Sequence, residues 1–185
     1  IRDSGNGLRP VVWKIVQERF GIDRIVEFYG ASEGNISLTN VDSKFGSIGR
    51  IPPYLKSVLP TKVVKFDVEN EVVIRDENGF CIECEDGEAG EAIGFIPDDD
   101  KFTGKFEGYT DKEATKKKIL ENVFEKGDRW FSSGDLLKKD KQGYYYFVDR
   151  IGDTFRWKSE NVSTNEVSEA ISAYKGIDEV NVYGV

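Results

Sequence analysis

Near the start of the chain the apolar positions recur at helical spacing: Val12, Ile15, Val16 and Phe20 lie between Pro10, suited to a first helical position, and Gly21, a natural stop. The pattern predicts an amphipathic helix behind a glycine-containing loop, Gly5-Asn6-Gly7-Leu8-Arg9-Pro10. Arg24 to Tyr29 then reads as a buried strand, and Gly30-Ala31-Ser32-Glu33-Gly34-Asn35 as the loop leaving its end. From about residue 46 to 100 the helical period disappears. Short β-rich runs (Val63 to Val68, Glu71 to Arg75, Ala92 to Ile96) alternate with turn residues such as Asp76-Glu77-Asn78-Gly79, which predicts a small β subdomain. Thr110-x-x-Glu113 is a capping box and predicts a helix with Ile119, Leu120, Val123 and Phe124 on its apolar side and Lys116 to Lys118 on its solvated face. Leu136 and Leu137 continue through the turn Lys138 to Gly143 into the aromatic strand Tyr144 to Val148, a hairpin. A second capping box, Ser163-x-x-Glu166, opens a helix with Val167, Ala170, Ile171 and Tyr174 facing one way, and Glu179 to Val185 reads as a strand. Residues after about 152 therefore read as the first β-α-β portion of a second domain, with Gly152 a hinge candidate at its start.

Composition narrows the classes. With 185 residues the chain has room for one domain and part of another, and 38% hydrophobic and 12% aromatic residues are enough for a core. A net charge of −8 argues against nucleic-acid binding by counterion release. Histidine and methionine are both absent, so the usual general base near neutral pH is missing and Ile1 does not read as a translation start; the chain reads as an internal segment. No apolar run is long enough for a membrane span, and the first twenty residues lack signal-peptide order. The two cysteines, Cys81 and Cys84, form one Cys-x-x-Cys. Without further N or S ligands it makes no zinc site, and with Glu83 and Glu85 beside it, a poor redox pair. Two reduced strand thiols fit an intracellular protein.

Candidate chemistry begins at Gly30-Ala31-Ser32-Glu33-Gly34, a G-x-S-x-G that follows a strand as a nucleophile elbow does. A serine nucleophile needs a base, usually His, and the chain has none. Gly5-x-Gly7 opens a dinucleotide-binding pattern, but Pro10 stands where its third glycine belongs. Taken singly, Tyr29 reads as a strand-end core residue, Glu33 as a solvated loop carboxylate, Asp135 as a turn former and Arg150 as an ion-pair partner.

Their joint order changes that reading. Tyr29-Gly30-x-Ser32-Glu33, then Ser133-Gly134-Asp135, then Asp149-Arg150 before a glycine resembles the adenylate-forming superfamily of acyl-CoA synthetases, luciferases and peptide-synthetase adenylation domains. Gly5 to Pro10, Glu27 to Asn35 and Asp149 to Thr164, with its Gly-Asp-Thr-Phe-Arg-Trp-Lys stretch, are similar to the fatty acid transport protein / very-long-chain acyl-CoA synthetase family in order and spacing. The resemblance runs from about residue 4 to the end of the chain. It implies an α/β, multi-layer adenylate-forming fold. Residues 1–150 would be the C-terminal part of the large AMP-binding domain, and residues 151–185 the start of an α+β C-terminal lid.

The implied reaction is activation of a long- or very-long-chain fatty acid by ATP to an acyl-adenylate, with Mg²⁺, followed by transfer to coenzyme A, linked to fatty acid uptake. By the family's pattern Tyr29 lies against the adenine, with Gly30 beside it, Ser32 donates its hydroxyl to the α-phosphate and Glu33 holds Mg²⁺, a hard cation that takes oxygen ligands. Asp135 accepts the ribose hydroxyls, and Arg150 contacts the ribose side. Gly5, Asn6 and Gly7 let the backbone approach the adenine or acyl end closely. Gly152 and Asp153 form the hinge, and Ser159, where the family usually has glycine, lies in the loop near the coenzyme A channel. That departure keeps two alternatives in view: a CoA ligase for another carboxylate such as a bile acid, and a non-catalytic transport or binding protein that retains the nucleotide fold. The family's phosphate loop and lid lysine fall outside the sequence, so this segment is expected to be inactive by itself. The resemblance further implies an intracellular parent on the plasma membrane or an endomembrane, its site facing the cytoplasm, anchored through a segment not present here.

Overall fold

The computed structural model describes residues 2–5, 7–30, 36–55, 60–97, 118–158, 160–177 and 179–183. A parallel pair opens the chain: β1 (Arg2–Gly5) lies beside β2 (Arg24–Gly30), joined by helix α1 (Pro10–Phe20). Pro10 sits in the first helical turn, and Gly21 closes the helix in the left-handed region at φ 61°. The face of α1 turned to the sheet differs from the expectation. Val12, Ile15 and Phe20 are exposed, while Trp13 is buried with Ile22 and Ile25 and packed against Leu8 and Val16. The Trp13 indole, with Val16, fills the space that Val12, Ile15 and Phe20 were also expected to fill.

From β2 the chain folds back antiparallel through β3 (Ser37–Asn40) to the two-residue β4 (Gly49–Arg50). The β-rich middle is as expected: β5 (Thr61–Val64), the small hairpin β6 (Phe66–Asp67) with β7 (Val72–Val73), and β8 (Ala89–Phe95). The Asp76 to Gly79 turn is closed by the Asp76 carboxylate, which accepts the N–H groups of Asn78 and Phe80 at 2.9 Å each. Cys81 and Cys84 are free and buried; burial raises both thiols, Cys84 to about 12, so neither is a ready nucleophile.

The capping box at Thr110 and Glu113 lies outside the described residues, but its apolar side does not: Ile119–Glu121 is a strand, β9, not a helix. It pairs with the first residues of β10 (Arg129–Lys139). The intervening turn is organised by Asp128, whose carboxylate accepts the N–H groups of Val123, Phe124 and Glu125 and the indole N–H of Trp130. Val123 is buried beside Trp130, and Phe124 meets that indole edge to face, so tertiary pairing overrides the helical spacing.

β10 turns into β11 (Tyr144–Arg150) through Asp140 to Gly143, with Gly143 at φ 83°; Lys138 and Lys139, expected in the turn, are the last residues of β10. Among the described residues nine strands share one sheet, ordered β1-β2-β3-β4-β11-β10-β8-β5 with β9 also on β10. Its main core joins Ile36, Leu38, Val63, Ala92, Phe131 and Leu137. After a one-turn helix at Ile151–Asp153 comes the hairpin β12 (Thr154–Trp157) and β13 (Glu160–Ser163), then helix α2 (Thr164–Ser172). Ser163 caps α2 as its capping box predicts, its Oγ accepting the N–H groups of Asn165 and Glu166. The predicted apolar side of α2 is not its buried one. Ile171 and Tyr174 are exposed and Ser168 is buried, its hydroxyl donating to the Val180 carbonyl at 3.0 Å. Residues 179–183 form no strand, where a strand was expected. No helix among the described residues is long and apolar enough to cross a membrane.

Candidate nucleotide site

Alternation along β2 puts Ile25, Glu27 and Tyr29 on one face. Tyr29 carries its hydroxyl across to β10, where it donates to Asp135 Oδ2 at 2.6 Å. Three strands separate β2 from β10 in the sheet order, which at ~4.8 Å per strand is about 19 Å in a flat sheet. The bond is made because the sheet coils, bringing the end of β2 against the middle of β10 and enclosing a cleft of about 670 Å³. Gly7, Tyr29, Gly30, Asp135 and Arg150, five of the positions singled out in the sequence, line it together. A larger hollow of about 950 Å³ lies beside Arg75, β9 and Lys126. The Arg75 guanidinium there is already spent on the carbonyls of Gly79, Glu121 and Asn122, so the smaller cleft is the chemically equipped one.

Asp135 faces Arg150 in register across the β10–β11 pair. Burial raises the Asp135 carboxyl above its ordinary range, while the Tyr29 hydroxyl and the Arg150 and Lys118 charges pull the other way. Tyr29 is raised in turn, first by burial and then by its bond to the carboxylate, so it stays a neutral donor. One Asp135 oxygen is thus committed to Tyr29, and among the described residues no hydrogen bond reaches Oδ1. Gly7, at φ 80°, needs its glycine, and a Cβ there would meet nothing.

Gly5 ends β1 in register with Glu27. Gly152 and Asp153 lie in the one-turn helix after β11; Gly152 is not in the left-handed region, and a Cβ on it would meet open space. Asn6, Ser32, Glu33 and Ser159 lie outside the described residues. Among the described residues no group of three or more His, Cys, Asp or Glu could hold a metal ion.

Two charged residues of the site lie in the quoted motifs but were given no role of their own. Glu27, 1% exposed, holds the start of α1 by accepting the Leu8 N–H at 2.8 Å on Oε1, and its Oε2 is buried with no partner. Its signal in the sequence was a carboxylate on the same strand face as Ile25. Asp149, fully buried, accepts from Ser163 Oγ, Thr164 Oγ1, Asn165 Nδ2 and the Arg150 N–H at 2.7–3.1 Å. It ties β11 to the start of α2, which puts Asn165, Glu166 and Glu169 on the cleft wall.

Solved structures share this architecture. The ATP-bound MatB of Rhodopseudomonas palustris superposes with a TM-score of 0.70 at 24% identity, over the whole of this chain and 32% of its own. The O-succinylbenzoate coenzyme A synthetase of Bacillus subtilis in complex with AMP gives 0.66 at 20% identity, over the whole chain and 33% of its own. The fold is that of the adenylate-forming CoA ligases. By sequence, long-chain fatty acid transport protein 1 of Homo sapiens is 48% identical over 181 residues, 98% of this chain and 28% of that protein. Long-chain fatty acid transport protein 5 of Mus musculus is 45% identical over 182 residues, and the very long-chain fatty acid transport protein of Cochliobolus heterostrophus 40% over 194. The chain belongs to the fatty acid transport protein family and spans a little over a quarter of the length of these relatives. No family model matches it.

Proposed function

We propose that this chain carries the nucleoside half of the active site of an ATP-, Mg²⁺- and coenzyme A-dependent ligase for long- or very-long-chain fatty acids, linked to their uptake. The observation that carries the reading is the Tyr29–Asp135 bond facing Arg150 in a glycine-edged cleft, in a chain of this family. Residues 1–150 are then the end of the nucleotide-binding domain and 151–185 the start of its lid, with Gly152 and Asp153 between them.

In the reaction proposed, a fatty carboxylate oxygen attacks the α-phosphorus of ATP, the bond to the bridging oxygen breaks and pyrophosphate leaves. The coenzyme A thiol then attacks the acyl carbonyl, loses its proton, and AMP departs. Such steps need positioning and charge neutralisation more than a strong base, which suits a site without histidine. Asp135, pinned at Oδ2, offers Oδ1 to ribose hydroxyls; the Tyr29 ring lies against the base; Glu27 Oε2 is an acceptor for an N–H of that base. Mg²⁺ held by Glu33 with the nucleotide phosphates would supply charge neutralisation, and Ser32 would donate to the α-phosphate. Gly5, Asn6 and Gly7 admit the backbone close to the nucleotide, and Ser159 borders the coenzyme A path. The parent is proposed to be intracellular, where the free thiols Cys81 and Cys84 persist, and membrane-associated through a segment outside this sequence.

Pyrophosphate release and acyl-CoA formation, measured separately in the full-length protein carrying this sequence, test the reading. Both products are expected, with Asp135→Ala raising the KM for ATP. Pyrophosphate alone would mean a ligase stalled at the adenylate. Neither product would favour a transport or binding protein that keeps the fold, and acyl-CoA from a bile acid but not from fatty acids would move the substrate class.

A further inference from the structure

Asp135 owes its direction to a bulge. Between Ser132 and Leu136 the register of β10 against β8 shifts: Ser132 stands opposite Ile93 and Leu136 opposite Glu91, so four residues of one strand are spanned by two of the other. The extra residues turn through Gly134 at φ 78° and stand outside the β10–β8 register. Ser133 supplies part of the repair, its Oγ donating to the Ala92 carbonyl at 2.7 Å and accepting the Asp135 N–H at 3.0 Å. Lys118 supplies another, reaching the Ser133 carbonyl at 3.4 Å; its flexible end could yield to a Cβ on Gly134, so it is the φ of 78° that favours glycine there.

The rest falls to Glu91. It is 2% exposed, a charged side chain placed where a strand facing the core ordinarily carries an aliphatic one. Its Oε1 accepts the Ser132 hydroxyl and the Gly134 N–H, the latter at 3.3 Å. Both donors belong to the turn that delivers Asp135, and an apolar side chain of the same size would leave the buried Ser132 hydroxyl and the half-buried Gly134 N–H without this acceptor.

We propose that Glu91 is a positioning residue for the nucleotide site: it clamps Ser132 and Gly134 and thereby fixes the angle at which Asp135 leaves β10 toward Tyr29 and Arg150. The inference rests on Asp135 being the ribose acceptor. It assigns to Glu91 a role in nucleotide affinity, although Glu91 itself does not line the cleft. The acceptor oxygen, not the charge, is what the clamp uses, so glutamine substitutes and leucine does not.

The test uses the full-length protein, with steady-state pyrophosphate release measured against ATP and against fatty acid for Glu91→Leu, Glu91→Gln, Ser132→Ala and Asp135→Ala. Glu91→Leu is expected to raise the KM for ATP about tenfold while the KM for fatty acid stays within twofold, and Glu91→Gln to stay within about threefold of the parent for both. A folded Glu91→Leu variant with the parent's KM for ATP overturns the assignment. So does a parallel rise in both KM values, which marks general damage, or a Glu91→Gln as impaired as the leucine. If Glu91→Leu does not fold, Ser132→Ala removes one of the two clamped donors and reads the same split: a raised KM for ATP alone supports the clamp, an unchanged one overturns it. Failure of the underlying reading is distinguishable, because there Asp135→Ala itself leaves the KM for ATP unchanged.

Discussion

Replacing Tyr29 by Phe removes one oxygen and leaves the ring. The 2.6 Å bond to Asp135 Oδ2 is lost, and with it the donor that spans from β2 to β10. Hydrogen bonds to charged groups are worth about 1.5–3 kcal/mol, and since Asp135 is only partly buried, water recovers some of this, so the lower end, about 1.5 kcal/mol, is expected. If that bond orients the carboxylate for ribose, the KM for ATP rises by about an order of magnitude, at ~1.4 kcal/mol per factor of ten. The pH dependence is more discriminating. Burial already raises the Asp135 carboxyl and Tyr29 opposes that, so Tyr29→Phe raises it further. A protonated Asp135 is a poorer acceptor; the ATP defect should therefore be largest at acid pH and shrink as pH rises. Stability runs the other way. A carboxyl whose pKa is raised by folding contributes stability that is present below its unfolded pKa and lost as pH rises through the folded one. With the folded value pushed up, the variant loses more than the parent as pH increases. Pyrophosphate release against ATP and thermal unfolding, both followed from acid to mildly alkaline pH in the full-length protein, should show opposite trends. An unchanged KM with an unchanged melting temperature, or two trends of the same sign, would refute the reasoning.

Glu33→Gln keeps the size and removes the charge, so adenylation should collapse at every Mg²⁺ concentration while the melting temperature holds; normal pyrophosphate release would remove Glu33 from the metal role. Gly152→Ala should be harmless, since its Cβ meets open space, whereas Gly152→Pro should impair acyl-adenylate formation and transfer to coenzyme A unequally. Single-turnover assays of the two steps check this, and equal losses at an unchanged melting temperature would rule out a hinge there. Asp128→Ala leaves four N–H donors unserved around the β9–β10 turn and should cost about 1–2 kcal/mol in denaturant unfolding. Burial pushes Asp128 up, but the N–H of Phe124, the Trp130 indole and the N–H groups of Val123 and Glu125 outweigh it and hold the carboxyl below its usual range. Its contribution is therefore present above the unfolded pKa and disappears as pH falls through the folded one, so parent and variant should converge in strong acid.

What could be read without coordinates was what neighbouring residues decide. Pro10 and Gly21 bracket α1, Ser163 caps α2, and Asp140 with Gly143 shapes the β10–β11 turn, each through backbone chemistry confined to a few residues. Ile119 and Leu120 were misassigned because strand pairing with Trp130 and Phe131 is settled by residues ten positions away. The buried face of α1 turned on which apolar group reaches β2, and spacing alone does not separate Trp13 from Val12. At the site, Tyr29, Asp135 and Arg150 were legible as an ordered set. Glu27, Glu91 and Asp149 carried no role of their own there, because what sets a carboxylate apart is its burial, which only the fold decides.

The contact between Asp149 and Ser163, Thr164 and Asn165 also sets a rule for recombining this protein with its relatives. One carboxylate serves four donors spread over some fifteen residues of chain, so a crossover anywhere between β11 and α2 can hand the acceptor to one parent and the side-chain donors Ser163, Thr164 and Asn165 to another. Where the incoming sequence lacks either side, the hybrid inherits a dry, unpaired charge or stranded hydroxyls at the start of α2. Segment exchanges that keep residues 149–165 together should give soluble hybrids more often than those that divide them. The boundary that respects this protein's physics lies before Asp149, not at the glycine that follows it.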